Sequence, residues 1–491
     1  MKDTTAGRGL EPRVLYFAVF TFFSLSGGRF TATFLEHELK FSQNWMISTA
    51  MAVQILASSS CSSWLGGLAD SLEKRRGSNG RLQIMALGLL LSTVATLLHI
   101  LGRLWMQPST LETDDDYFVE EDIQNHQYVP MSLFVYHLIL RAVFAIGTTA
   151  CSPVLDGLTL ARLEDDARDS AEYGKERLYG AVSWGIANVF FGPAIDRWGF
   201  GIIYITTICS FILCIITFYV YARSNQMMYS SIAEVDLENL PDAQDSSDDK
   251  RANKDRATYR NTFFEDEDSQ LQRMQPKLDV LTFLTKTNGL LNLTFVFAMF
   301  TLYVGMAVVE NLIFLYFEFL GGSYSMCGLT VAVTVMFEFP LFHYAPVILR
   351  RLKSPVWMFQ AACVAYVIRV LVYSIIPQDH PYWTLLVEPL HGVTIGFVLT
   401  ASIAFAAEWV PKSYEASGQG FLSMVRGLGQ FVGLCIGGVI EGRILYRVLA
   451  VVVGVGSIML AISHCLSVQE QKRETQRRDD HIDRKAASII D

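Results

Sequence analysis

Charge is what this sequence has least of. Asp, Glu, Lys and Arg make up 18% of its 491 residues, where a soluble domain usually carries about one quarter. The deficit is banded. Long stretches are nearly free of charge and the charges crowd between them, as expected of a chain solvated alternately by lipid and by water. Other absences narrow the function. None of the eight cysteines stands in CxxC spacing, and most lie inside apolar runs (Cys61, Cys151, Cys209, Cys214, Cys327, Cys363, Cys435), where they read as small packing residues. There is no nucleophile elbow, no HExxH and no P-loop. His99, His126, His137, His343 and His380 form no ligand spacing. An enzyme, a metal and a cofactor are therefore not expected. The net charge of −9 sits mainly in two polar segments, and no basic patch is interleaved with aromatics, so no nucleic-acid partner is expected. No cleavable signal peptide is evident either, because the first apolar run is too long for one.

What is present is hydrophobic length. Mean hydropathy is +0.31, and a membrane-crossing helix needs about 20 mainly apolar residues. Twelve segments qualify: 14–35, 45–68, 82–105, 132–158, 178–195 and 200–222, then 289–318, 326–349, 356–376, 382–408, 417–440 and 445–465. Basic residues in short loops predict orientation. Lys74–Arg76, Arg162 to Arg177, Arg350–Lys353 and the basic tail fall on one side with the N-terminus, whereas residues 107–130 hold no Lys or Arg. Both termini are expected in the cytoplasm, of a plasma or organelle membrane.

The organisation reads as an N-terminal six-helix bundle (1–222), a largely disordered cytoplasmic linker (223–287), a C-terminal six-helix bundle (288–465) and a cytoplasmic tail (466–491). The halves repeat each other's punctuation. A basic run follows span two (Gly66–Arg76) and span eight (Tyr344–Lys353). Span five closes on Gly192–Pro193–Ala194–Ile195–Asp196 and span eleven on Gly437–Gly438–Val439–Ile440–Glu441. Two bundles related by an axis along the membrane normal would produce this.

Ionisable residues inside spans cost roughly 2.5–3.5 kcal/mol each on insertion scales, so they must face a wet cavity or one another. The candidates are Arg29 (span one), Arg141 (four), Glu310 (seven), Glu338 (eight), Arg369 (nine), Glu388 and His391 (ten) and Arg426 (eleven). Glu388 and His391, three apart, share a helical face. A carboxylate that alternates between an Arg and an apolar cavity can take up and release a proton. The alternative is that such pairs simply fix helix packing, an equal reading for Arg141 and Arg426. Gln54 and Asn188 are cavity candidates or packing contacts.

Several motifs resemble one family. Gly66, Leu68, Asp70 and the basic run containing Arg75 match the G-x-L-a-D-r-x-G-r-r loop signature of the major facilitator superfamily, with Ser71 and Glu73 departing from it. Tyr173–Gly174–Lys175–Glu176–Arg177, with Asp156 ahead of it, resembles the start of span five in the branch of lactose-permease-like and nucleoside-symporter-like members. Glu338–Phe339–Pro340, Arg369, Glu388–Pro389–Leu390–His391–Gly392 and Ala406–Ala407–Glu408–Trp409 resemble that branch's spans eight, nine and ten. The chain is similar to its "major facilitator superfamily associated domain" group, with Arg29 as a departure. The resemblance implies an all-α polytopic fold and a monomeric secondary transporter of a small polar solute (sugar, nucleoside or related metabolite). It also implies proton coupling through the C-terminal network, with Glu338 or Glu310 as carrier, Arg369 as modulator and His391 linking to the solute. Asp156 and Arg177 would gate or brace the cytoplasmic end. An uncoupled facilitator and a transporter-fold receptor or scaffold are the competing readings.

Overall fold

The computed structural model describes residues 10–76, 78–105, 129–165, 168, 173–238, 289–409 and 415–490. Most of the expected linker and of the loop after span three thus lies outside the described residues. Within them the chain is helical and contains no strand.

The first span is broken. Helix α1 (Arg13–Leu25) ends in Ser26–Gly27–Gly28, a 3-10 turn covers Gly28–Phe30, and α2 (Thr31–His37) resumes the path. Gly27 and Gly28 have φ of 120° and 45°, a region that side-chain-bearing residues avoid, so the pair makes the break possible. The helices α3 (Asn44–Arg76), α4 (Ser78–Trp105), α5 (Met131–Thr149), α6 (Ser152–Asp165), α7 (Tyr173–Trp198) and α8 (Ile202–Glu238) complete the first half. The fourth span, expected as one helix, divides at Ala150–Cys151, with Pro153 in the first turn of α6 where its missing N–H costs nothing.

The second half repeats the scheme. Its first span is also broken: α9 (Gly289–Asn311) stops at Leu312, whose φ is −113°, and α10 (Ile313–Phe319) follows. Then come α11 (Tyr324–Leu352), α12 (Pro355–Ile375), a 3-10 turn at Pro381–Leu386, α13 (Pro389–Trp409), α14 (Glu415–Val439) and α15 (Gly442–Ile490). Helices α8 and α15 run past the expected ends of their spans at 222 and 465, because neither continuation holds a Gly or Pro to stop it.

Among the described residues, eleven helical segments are long and apolar enough to cross a membrane. Helix α3 fills the remaining place among the twelve expected spans. Ser48, Ser58, Ser59, Ser60, Ser62 and Ser63 lower its hydropathy, and its position between bundles explains why it tolerates them.

Packing displays the repeat directly. In the first half α1 packs on α7 and α8, and α5 on α3 and α4. In the second, α9 packs on α14 and α15, and α13 on α11 and α12. The helix pairs α4–α8 and α12–α15 also correspond. Two extensive contacts join the halves, α7 with α11 and α3 with α14, and the repeat exchanges one for the other, while α2 meets α10 in a smaller contact.

The start of α1 and the far end of α15 share one end of the molecule, here the terminal end. At the opposite, distal end the halves are in tight contact along α7 and α11, beside a cavity of about 550 Å³ that Glu36, Ser48, Glu318 and Glu441 line. A Cβ added to Gly192 would collide with the Tyr324 carbonyl, and one added to Gly328 with the Asn188 carbonyl, so α7 and α11 touch backbone to backbone. Asp196 accepts hydrogen bonds from the Tyr324 and Ser325 amides (3.0 and 2.8 Å), capping α11 from the other half. Phe30 packs on Phe314 at 4.7 Å and on Phe191 at 5.6 Å. His37 pairs with Glu318 at 2.8 Å while stacking on Phe200.

Candidate functional site

The two broken spans face each other across the interface. Breaking a helix frees backbone carbonyls that must find donors. Arg29, in the turn of the first span, donates from Nη2 to the Val309 carbonyl (3.3 Å) in the last turn of α9 before its break, and its guanidinium lies 5.9 Å from the Phe314 ring. The residue that departs from the family pattern therefore ties the two breaks together. Glu310 is the next residue along α9.

Behind this point lies a buried polar cluster. Arg369 on α12 and Glu388, just ahead of α13, form an ion pair of 2.9 Å with each side chain 1% exposed. Glu388 also accepts from Tyr373 Oη (2.5 Å) and Thr334 Oγ1 (2.9 Å). Arg369 donates from Nε to Tyr373 Oη (2.6 Å) and from Nη1 to His391 Nδ1. That contact makes His391 Nδ1 an acceptor, so the imidazole is neutral there. Each nitrogen of Arg369 and each carboxylate oxygen of Glu388 has a partner, a condition that favours survival of a buried ion pair.

In front of it lies open space. A cavity of about 900 Å³ between α3, α9, α13 and α14 is lined by Glu310, Arg426, Tyr303, Gln430 and Ser58, Ser59 and Ser62, among others. A second, of about 410 Å³, takes in Gln54, Thr148, Thr149, Ser152 and Trp184 and shares Ser58 and Ser62 with the first. The larger cavity is the chamber between the halves, and the smaller adjoins it at Ser58 and Ser62 within the first half. The chamber extends toward the terminal end as far as Gly420, beside which there is open space among the described residues. Arg426 lies 5.9 Å from the Tyr303 ring.

The other residues singled out in the sequence fall elsewhere. Arg141 is buried in the first half, donates to Gln54 Oε1 (2.6 Å) and lies 4.4 Å from the Phe144 ring. Asp156 accepts from Tyr16 Oη (2.7 Å), and Arg177 donates to Tyr173 Oη (3.3 Å). Glu338 sits on α11 where its backbone meets Gly392 of α13, and the partner of Arg369 is Glu388 instead. Gly66 is in α3 as expected, while the side chains of Asp70 and Arg75 lie outside the described residues. Asn188 is a packing contact, donating to Ser24 Oγ (2.8 Å).

Sequence reasoning missed Tyr373 and Thr334. Tyr373 was findable, standing four residues after Arg369 on one helical face. It also missed that His99 and His137 meet, Nδ1 to Nδ1, at 2.7 Å between α4 and α5. Among the described residues, Glu36, His37 and Glu318 gather three potential metal donors within 4.8 Å. His37 and Glu318 already bond each other, and the group reads as a clasp between the halves.

The sequence model of the MFS_1 like family matches residues 13–446. The chain belongs to that family, within the major facilitator superfamily. Its fold is shared by solved transporter structures. The nucleoside transporter NupG aligns with a TM-score of 0.62 at 13% identity, covering 92% of this chain and 98% of that one. The peptide transporter POT in complex with sulfate aligns at 0.56 and 12%, covering 93% and 94%. An inward-open xylose transporter XylE from E. coli aligns at 0.53 and 11%, covering 91% and 94%. No curated protein matches.

Proposed function

We propose that the protein is a secondary active transporter that moves a small polar solute by alternating access, coupled to protons. The observation that carries this is the chamber between the halves, lined by Glu310 and Arg426 and bounded on the distal side by the tight contacts of α7 with α11. In this reading the terminal end faces the cytoplasm, in keeping with its basic loops, and the halves are two six-helix bundles joined by a cytoplasmic linker. The solute is a sugar, a nucleoside or a related metabolite, and the protein acts as a monomer.

The residues divide the work. Arg369, Glu388, Tyr373 and Thr334 hold the second bundle in one arrangement. His391, on the rim of that cluster, passes its state to the chamber. Arg29 bonds to the carbonyl of Val309, the neighbour of Glu310, so a movement of the Arg29 turn relative to α9 changes what Glu310 meets and hence its proton affinity.

The test uses protein in liposomes loaded with a pH dye, challenged with a panel of solutes. Solute-specific proton influx is expected, and Glu338→Gln is expected to abolish pH-driven uptake while solute exchange persists. Solute equilibration without proton movement would replace symport by facilitated diffusion. Silence of both signals from folded protein would favour a transporter-fold receptor.

A further inference from the structure

We infer that the chamber takes a zwitterion, a solute whose ammonium meets Glu310 and whose carboxylate meets Arg426. This rests on the transport reading above and narrows its solute to amino-acid chemistry.

The inference starts from which charges are already occupied. Glu388 is held by Arg369, Tyr373 and Thr334. Arg141 donates to Gln54 and Arg29 to the Val309 carbonyl, and neither lines the larger cavity. Glu310 and Arg426 are different, because both line the larger cavity. Arg426 donates to Ser423 Oγ at 3.3 Å, a long bond to a neutral group three residues away on its own helix, and lies over Tyr303, and neither contact supplies a counter-charge.

Spacing supplies the second argument. Arg426 lies over Tyr303, and Tyr303 and Glu310 line the same cavity from α9. Seven residues are two turns, so Glu310 stands about 10 Å from the level of Arg426 along the helix. A charge-assisted hydrogen bond spans about 2.8 Å. Two such bonds take up part of that separation, so the solute's own charged atoms stand closer together than the two turns, the scale of a small amino acid. A neutral sugar or nucleoside offers neither Glu310 nor Arg426 a charged partner, whereas a zwitterion offers one to each. The remaining lining suits a side chain of mixed character, with Ser59, Ser62 and Gln430 beside Met306, Val398 and Phe431. Giving Glu310 to the ammonium leaves Glu338 as the proton carrier.

The experiment is thermal unfolding of the purified full-length protein with L-α-amino acids, β-alanine and 4-aminobutanoate. Each is compared with its N-acetyl and methyl-ester forms, and D-xylose and uridine serve as neutral comparators. At least one zwitterion should raise Tm, and blocking either of its charges should remove the effect. Glu310→Gln and Arg426→Gln should each weaken its binding about tenfold or more, because each loses a hydrogen bond to a charged group. In Glu310→Gln the zwitterion and its N-acetyl form should become nearly equal, a readout that general loss of stability would not give. Stabilisation by no zwitterion, or equally by the blocked or neutral compounds, would overturn the inference. Uptake of xylose or uridine at wild-type rates by both variants would also overturn it while leaving transport intact. A zwitterion that binds but is not carried into liposomes would instead remove the transport reading and keep the site.

Discussion

Arg369 and Glu388 show what a single residue is worth in this molecule. With each side chain 1% exposed, neither charge has water to fall back on. Removing one partner of such a pair strands the other, at about 3–5 kcal/mol, whereas replacing both by apolar groups of similar volume is often neutral. Arg369→Met is therefore expected to lower thermal stability severely, and adding Glu388→Leu to restore most of it, as followed by unfolding in detergent. Failure of the double variant to recover would mean that the pair contributes more than mutual neutralisation. The sequence made the members of this cluster legible, since ionisable residues in apolar spans stand out against their surroundings. It did not make the pairing legible. Glu338 and Glu388 occupy spans adjacent to each other, and the choice between them depends on helix rotation, which a run of apolar residues does not encode. Thr334 was hidden for another reason, because hydroxyls are ordinary in membrane helices and only its contact with Glu388 distinguishes it.

At the scale of elements, the informative feature is that the first span of each half is broken at the corresponding place. Apolarity tracks the need for lipid solvation and is blind to a local loss of helical geometry, so both spans read as continuous. In the first, Gly27–Gly28 was a visible signal. In the second, neither Gly nor Pro marks the break at Leu312, and the repeat itself was the available clue. The first break is testable. A side chain at Gly27, with φ of 120°, is strained, and its Cβ would stand 2.9 Å from Thr31 Oγ1. Gly27→Ala is expected to cost about 1 kcal/mol or more and to slow uptake, because it reshapes the turn that carries Arg29. Wild-type stability and rate in this variant would show that the break is not needed. The boundaries at 222 and 465 were placed where hydrophobicity ends, yet α8 and α15 continue because helix formation ends at a breaker rather than at the membrane surface.

For the whole molecule, the repeat in the sequence reappears as matched packing in the two halves, and the contacts that join them are exchanged by the same symmetry. That arrangement gives the interface two equivalent ways of closing. The distal end is held by the glycine contacts of α7 and α11, the Asp196 cap, the Phe30 ring cluster and the His37–Glu318 pair, and no comparable set of contacts joins the terminal end among the described residues. A rocking motion would exchange these states, exposing the chamber to one side and then the other.

The most direct test of this account is a pair of distances measured by double electron–electron resonance in liposomes, with the native cysteines replaced. One label pair, at Ser42 and Gln378, spans the distal end, and the other, at Gly174 and Gly420, spans the terminal end. A transported solute with a proton gradient should lengthen the distal distance and shorten the terminal one together, in shared populations. Distances that stay fixed under every solute and gradient, or that change in the same direction at both ends, would contradict alternating access between the two halves.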